Sequence, residues 1–203
     1  MGKLMRILAA GIVGGLVMFI WGAVSHMVLQ MGTGGMRGLP NEAALIAPMQ
    51  AVLKERAIYY APWNEAITTG KEMTEAEGKA YEERHRNGPV AFIVWQPVGG
   101  EMMPPSRLLN EYLSNAAAAM LAAIVLASGL NCYWSRVLAC VLIGLAGWLS
   151  ISVSEWNWWN FPWEYIRDEG VDQAIGWLLS GFAIAAIAPR CRKSAPSCGT
   201  AAP

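Results

Sequence analysis

Polar and apolar residues fall into long separate blocks along this chain of 203 residues. Four blocks lack Lys, Arg, Asp and Glu, and they cover residues 7–29, 112–130, 137–154 and 173–188. A helix rises about 1.5 Å per residue and must cross about 30 Å of hydrocarbon, so a span needs about 20 residues. The first three blocks meet this length, and the fourth needs one more turn from residues 167–172. The pattern therefore predicts four transmembrane helices.

The polar stretch between the first two blocks predicts a small α+β insert. Residues 41–56 have helical character, and Thr74 and Glu77 have the spacing of a capping box that starts a second helix. Residues 89–96 are rich in β-branched and aromatic side chains, which favours a strand that could pair with residues 58–60. The predicted fold is an all-α membrane protein with four transmembrane helices and this extracytoplasmic insert between the first and second.

The chain thus divides into four parts. These are residues 1–30 with the N-terminal end and the first helix, 31–107 with the insert, 108–189 with the other three helices, and 190–203 as a disordered tail. Hydrophobic residues make up 55% of the chain and charged residues 15%, as a polytopic membrane protein requires. A basic patch of the kind that binds nucleic acid is absent from the sequence, so we expect no nucleic-acid partner.

Positive charges predict the orientation of the bundle. The three short segments on one side contain no Asp or Glu, and their basic residues are Lys3, Arg6, Arg136, Arg190, Arg192 and Lys193. The positive-inside rule therefore places both termini in the cytoplasm and the insert in the periplasm. On this topology all four cysteines (Cys132, Cys140, Cys191 and Cys198) lie near the cytoplasmic side, where thiols are kept reduced.

Small residues recur at helical spacing in the predicted spans. Gly11 and Gly15 form a GxxxG pair, and Gly176 lies four residues before Ser180. Such faces allow helix backbones to approach closely in lipid. The neighbouring helix belongs either to this chain or to another subunit, and the sequence leaves both open. We treat Gly11, Gly15 and Gly176 as candidate interface residues.

Residues 155–165 form a predicted outer loop with six aromatic side chains in eleven positions. Trp and Tyr favour the headgroup region of a bilayer, so one interpretation is an aromatic belt. The other is a docking surface, because Trp is also a common anchor of protein interfaces. The candidate residues are Trp156, Trp158, Trp159 and Trp163.

Polar residues are predicted to gather at the outer ends of the helices. They are His26, Glu111, Asn115, Glu155 and Asp172. Ionisable groups at membrane depth usually face the bundle and pair with one another. A histidine with three carboxylates could bind a metal, relay protons or hold a polar ligand. The alternative is a hydrogen-bonded belt that joins the helix ends.

Three segments of the chain resemble a group of uncharacterised bacterial four-helix inner-membrane proteins with an extracytoplasmic insert. These segments are RILAAGIVGGLVMFIWGAVSHMVL, SNAAAAMLAAIVL and WLSISVSEWNWWNFPWEYIRDEGVDQAIGWLLSGFAIAAI. The resemblance implies a multi-pass protein of the bacterial inner membrane, and it implies no activity and no catalytic residue.

The functional hypothesis rests on the small-residue faces, the aromatic loop and the absence of enzyme motifs. HExxH, GxSxG, Walker A and CxxCH motifs are absent, so we expect neither an enzyme nor a bound cofactor. We favour an accessory or structural subunit of a larger bacterial membrane complex, for example an energy-transducing one. Its partners would be the lipid bilayer and other membrane subunits. The alternative is a membrane protein that binds a metal or a small polar or quinone-like ligand at the outer polar cluster.

Overall fold

The structure is a computed structural model, and it describes residues 2–190. The chain separates into two compact units, one of Met1–Arg37 and Met102–Pro203 and the other of Gly38–Glu101. The regular elements in chain order are α1 (Lys3–Ala23), a π-helical turn (Val24–Val28), α2 (Glu42–Val52), β1 (Ala57–Ala61), α3 (Glu65–Thr69), α4 (Glu75–Asn87), β2 (Ala91–Trp95), α5 (Pro105–Ala127), α6 (Tyr133–Ser150), α7 (Ser152–Trp159) and α8 (Trp163–Ile187). The predicted tail covers residues 190–203, of which all but Arg190 lie outside the described residues.

Within residues 2–190, four helices are long and apolar enough to cross a membrane, which confirms the predicted number. They are α1 continued by the π-helical turn, α5, α6 continued by α7, and α8. The last of them begins at Trp163, ten residues before its uncharged block and four before the extra turn that was expected from residues 167–172. Pro162 directly precedes the first turn, where a backbone N–H has no acceptor within the helix, so the N–H that proline lacks is not missed. The helix then continues through charged positions that include the Arg167–Asp168 pair.

The expected aromatic loop is mostly helical, so that part of the prediction is wrong. Only residues 160–162 of the segment 155–165 lie outside α7 and α8. Asn160 ends α7 in the left-handed conformation, with a φ of 58°, and Pro162 stands directly before α8. The chain therefore reverses direction in three residues rather than eleven.

The four long helices form two antiparallel hairpins. In one, α1 packs against α5, and in the other, α6 packs against α8. The hairpins meet along α1 and α8, whereas α5 and α6 touch only slightly although they are consecutive long helices. A buried cluster of small and branched residues fills the centre, with Ala10, Ala119, Ala123, Leu126 and Ile184 fully covered.

Small residues explain the close contact between the long helices. A Cβ added at Gly15 would lie 2.5 Å from the Ala116 nitrogen, so α5 approaches α1 to within backbone contact. A Cβ at Gly14 would lie 2.6 Å from Ile184 of α8. The Ser180 hydroxyl donates to the Gly14 carbonyl at 2.9 Å, which ties α8 to α1 at the same level.

The second unit, Gly38–Glu101, is small and has little interior. β1 and β2 pair antiparallel with Ile58 opposite Val94, which confirms the predicted pairing. Trp95 is the only buried residue of this unit, all of which the structure describes, and its indole N–H donates to the Leu53 carbonyl at 2.9 Å. The unit therefore has too small a core to contribute much stability of its own.

The predicted capping box at the start of α4 is present. The Thr74 side chain accepts from the Glu77 N–H, and the Glu77 carboxylate accepts from the Thr74 N–H at 2.8 Å. The hydrogen bond from the Thr74 backbone lowers the pKa of Glu77, because it stabilises the charged carboxylate.

The boundaries of the insert lie inside the expected range of 31–107. Residues before Gly38 belong to the first unit because they pack on α8, where a Cβ at Gly35 would lie 2.8 Å from Tyr165. At the C-terminal boundary of the insert, α5 begins at Pro105, before the expected end of the insert at residue 107.

The cysteines depart in part from the expectation of reduced thiols. Cys140 is free and buried between α6 and α8, where a Cβ at Gly181 would lie 3.0 Å from it. Cys132 is disulfide-bonded, so the expectation is wrong for this residue. Cys191 and Cys198 belong to the part of the chain that the structure does not describe.

Candidate functional site

A cavity of about 400 Å³ lies among α1, α5 and α8 at one end of the bundle. We name this end, where Glu111 and Asp172 lie, the acidic end. The opposite end, with Lys3, Arg6 and Arg136, is the basic end. The cavity is in the usual size range of small-molecule sites, which are mostly apolar with a few convergent polar groups.

A π-helical turn at the end of α1 positions His26. Five residues, Val24–Val28, adopt this wider helix, and the Leu29 N–H bonds to the Val24 carbonyl at 3.0 Å. His26 Nδ1 lies 3.2 Å from the Met31 carbonyl oxygen. Because a carbonyl oxygen can only accept, Nδ1 must carry the hydrogen of this bond. The second ring nitrogen, Nε2, is thereby left to face α8.

Asp172 of α8 is the carboxylate opposite this histidine. Its Oδ2 lies 3.7 Å from His26 Nε2, which suits an ion pair but is too long for a direct hydrogen bond. Its Oδ1 is buried and has no hydrogen-bond partner. The backbone carbonyl of Asp172 accepts from the Trp21 indole N–H at 3.3 Å, which holds α8 against α1. Asp172 therefore brings an unsatisfied acceptor to a site with a defined frame.

α5 supplies the third wall of the cavity. Asn115 Nδ2 donates to Glu111 Oε1 at 3.2 Å, one helical turn apart, and both residues line the cavity with Ala118. The small Ala118 side chain and Gly22 of α1 leave the space open, since a Cβ at Gly22 would meet no atom within 4 Å.

The indole N–H groups that border the cavity are already used. Trp21 donates to the backbone of Asp172, and Trp177 donates to Gln173 Oε1 at 3.1 Å. The cavity thus combines free carboxylate oxygens with few free donors, which determines the kind of group it can receive.

A second cavity, of about 230 Å³, also borders His26 and Asp172. Its other walls come from residues 31–36 and from the first turns of α8, including Glu169, whose Oε2 is buried without a hydrogen-bond partner. The His26–Asp172 pair therefore lies at the boundary of two cavities.

The predicted polar cluster is partly assembled. His26, Glu111, Asn115 and Asp172 line the larger cavity together, whereas Glu155, on α7, lines neither cavity. In residues 2–190 no group of three or more His, Cys, Asp and Glu side chains is placed to hold a metal ion. The geometry therefore offers no ligand set for the metal form of the hypothesis.

The glycines predicted as interface residues pack inside this chain. Gly11 and Gly15 lie against α5, where added Cβ atoms would meet Met120 and Ala116. Gly176 lies against Trp21, with 3.0 Å from an added Cβ to the ring. The chain's own helices cover these three glycines, so they are not accessible to another subunit.

The aromatic residues of the predicted docking surface are exposed. Trp158 has 71% of its surface uncovered, and Trp156, Trp159 and Trp163 are each uncovered by nearly half. Trp156 and Trp163 contact each other edge to face, with ring centroids 5.5 Å apart, across the turn between α7 and α8. We call these four residues the tryptophan surface.

Sequence reasoning missed several residues that shape the cavity and the basic end. Trp177 and Gln173 carry no motif of their own, yet they lie four residues apart on one face of α8 and both line the cavity. Arg136 was counted only as an orientation signal, yet it is fully buried, and its Nη2 donates to the carbonyls of Ala188 at 2.9 Å and Pro189 at 3.3 Å.

Comparison with known proteins gives no match to any family model, curated protein or solved structure.

Proposed function

We propose that this chain is a multi-pass membrane protein that binds a small amphipathic ligand in the cavity among α1, α5 and α8. One observation carries the proposal: a mostly apolar cavity of about 400 Å³ in which five polar side chains, those of His26, Glu111, Asn115, Asp172 and Gln173, converge from three helices. Convergent polar groups in an apolar cavity are typical of ligand sites. A purely structural belt would instead satisfy its polar atoms internally, and the buried Oδ1 of Asp172 has no hydrogen-bond partner.

The outward surface of the first unit supports a membrane location. All four long helices expose large apolar side chains, among them Ile12, Leu121, Leu142 and Phe182. An aqueous protein rarely leaves such residues uncovered along every helix, whereas lipid tails would cover them. The resemblance to bacterial inner-membrane proteins supports that membrane in particular.

Two observations indicate opposite orientations of the bundle across the membrane. The Lys and Arg residues of three separate segments support a cytoplasmic basic end. The disulfide of Cys132 at the same end favours an oxidising compartment. We base the proposed orientation, with both termini in the cytoplasm, on the charge distribution because it recurs in all three segments.

Reporter fusions test this orientation without using the cysteines. A fluorescent protein fused after residue 203 is expected to be bright in intact cells, and alkaline phosphatase fused there is expected to be inactive. The same reporters inserted after Gly70, in the exposed turn that ends α3, should give the opposite result. An active phosphatase at the C-terminus would reverse the orientation and would agree with the disulfide.

The ligand site is tested with a neutral probe, 1-octanol, and a cavity-filling variant. Gly22→Leu is expected to abolish saturable binding of 1-octanol to the detergent-purified protein, measured by calorimetry, while the protein stays folded. The physical reason is that a leucine at Gly22 enters open space in the cavity and displaces the probe without a clash. Gly147→Leu is the matched control, because that position is also open but does not line the cavity. Equal binding by the wild type and Gly22→Leu would contradict the site.

An accessory subunit remains the second candidate, and the exposed tryptophan surface favours it. Buried glycine faces no longer support it, so the tryptophan surface would have to carry the interface. Comparison of Gly22→Leu with Trp158→Ala distinguishes ligand binding from an accessory-subunit role. For an accessory subunit, Trp158→Ala should reduce recovery of a co-purifying membrane subunit, and Gly22→Leu should not. For ligand binding, Trp158→Ala should leave 1-octanol binding intact.

A further inference from the structure

We propose that the cavity among α1, α5 and α8 selects a protonated amine that carries an apolar chain. This inference rests on the proposed ligand-binding function and adds the chemical class of the ligand.

The charges around the cavity favour a cation. Two carboxylates, Glu111 and Asp172, border it, and the described residues that line it include neither Lys nor Arg. Among these described residues His26 alone can carry a positive charge, and 59% of its side chain is exposed, against 14% for Asp172. A contact of 3.7 Å to such an exposed group satisfies a buried carboxylate poorly. An anion would be repelled by the same two carboxylates.

Hydrogen bonding leads to the same class of ligand. Asp172 Oδ1 is buried without a donor, which costs free energy until a donor arrives. If His26 is neutral, its Nε2 is a second acceptor that faces Asp172 Oδ2, and a donor between them would satisfy both. The indole donors of Trp21 and Trp177 already have acceptors. An ammonium group, with three donors and no acceptor, supplies what the site lacks.

The remaining walls require that the amine carry an apolar part. Met18, Phe19, Met27 and Leu108 line the cavity beside the carboxylates. A small hydrated inorganic cation would leave these side chains without a partner, whereas an alkyl chain would cover them. Phe19, Trp21 and Trp177 also line the cavity, and aromatic rings attract organic cations.

Three probes of equal chain length and different head groups test the class: octylammonium, 1-octanol and octanoate. Calorimetry on the detergent-purified protein should give an affinity for octylammonium at least about tenfold above that for 1-octanol, with no measurable binding of octanoate. Gly22→Leu should abolish binding of octylammonium, and Gly147→Leu should not change it.

Asp172→Asn separates charge selection from the presence of a site. The variant should lose most of the preference for octylammonium over 1-octanol while it still binds 1-octanol, and the retained binding shows that the cavity is folded. Should Asp172→Asn fail to fold, Glu111→Gln provides the second test, with a smaller loss expected because Glu111 is more exposed.

The outcomes distinguish this inference from the proposed function. Binding of 1-octanol without preference for octylammonium would overturn the amine class and leave the ligand site standing. Binding of neither probe would overturn both. Octylammonium binding that survives Gly22→Leu would place the amine elsewhere and overturn the inference.

The ammonium group could belong to a lipid headgroup or to a free amine, and reconstitution distinguishes the two sources. In nanodiscs with phosphatidylethanolamine, weaker octylammonium binding than in phosphatidylglycerol nanodiscs would support the inference with a lipid amine as the occupant. Equal binding in the two would support it with a free amine as the occupant.

Discussion

Gly15→Leu should destabilise the bundle by about 3 kcal/mol, the upper part of the range for overpacked sites. An added Cβ at Gly15 would lie 2.5 Å from the Ala116 nitrogen and 2.9 Å from its Cβ. The first of these atoms is backbone, so α5 itself must move, and it cannot move without opening the contact between α1 and α5. The measurement is the free energy of unfolding of the purified protein in mixed micelles, together with its accumulation in the membrane.

Gly147→Leu is the matched control for this experiment, since a Cβ there meets no atom within 4 Å. We expect its free energy of unfolding to stay within about 0.5 kcal/mol of the wild type. Gly15→Ala should already show part of the loss, because the Cβ alone is too close to α5. If Gly15→Leu were as stable as Gly147→Leu, α1 and α5 would not be in backbone contact.

Arg136→Met should cost about 2–3 kcal/mol of stability, because it removes the donor for two buried carbonyls at the end of α8. The guanidinium Nη2 bonds to Ala188 and Pro189, both of which are buried, just beyond the last helical turn. Carbonyls at a helix C-terminus lack partners within the helix, and a positive charge there also interacts favourably with the negative end of the helix dipole. Methionine keeps the apolar packing of the stem and removes the donors together with their charge.

A competing effect makes this prediction informative. Arg136 Nε and Nη1 are buried without hydrogen-bond partners, so removal of the guanidinium also relieves a desolvation cost. We expect the lost bonds to outweigh that relief, because two acceptors would remain buried without a donor. Arg6→Met should cost less, since Arg6 is only half-buried and bonds to a single carbonyl, that of Ile187, at 2.8 Å. An Arg136→Met protein as stable as the wild type would show that desolvation prevails.

The number of long helices could be predicted because uncharged apolar blocks of about 20 residues rarely form anything other than long helices in a chain of this size. The start of α8 was missed because Arg167, Asp168 and Asp172 interrupt its apolar pattern, although helices readily place such residues near their ends. The insert was predicted in outline because local signals, such as the Thr74 capping box, act within a few residues.

The cavity could be predicted only in part. Topology alone places His26 and Asp172 at the same end of the bundle, and they do meet. Their distance depends on the π-helical turn and on which helices are neighbours, and neither follows from residue spacing. Gly176 looked like an interface residue for the same reason that it packs on Trp21, since small residues favour close contact with any helix.

The last long helix, α8, packs against the first, α1, so the bundle can be completed only after α8 has been synthesised. The α1–α5 hairpin can pair as soon as α5 is synthesised, and the α6–α8 hairpin follows roughly 60 residues later. The cavity takes walls from both hairpins, so it does not exist until α8 has packed against the first hairpin. Before that moment Glu111 has no counterpart from α8, and a chain stopped after α7 would have the α1–α5 pair but no place for a ligand. Ligand capture would therefore report that translation has reached the last helix.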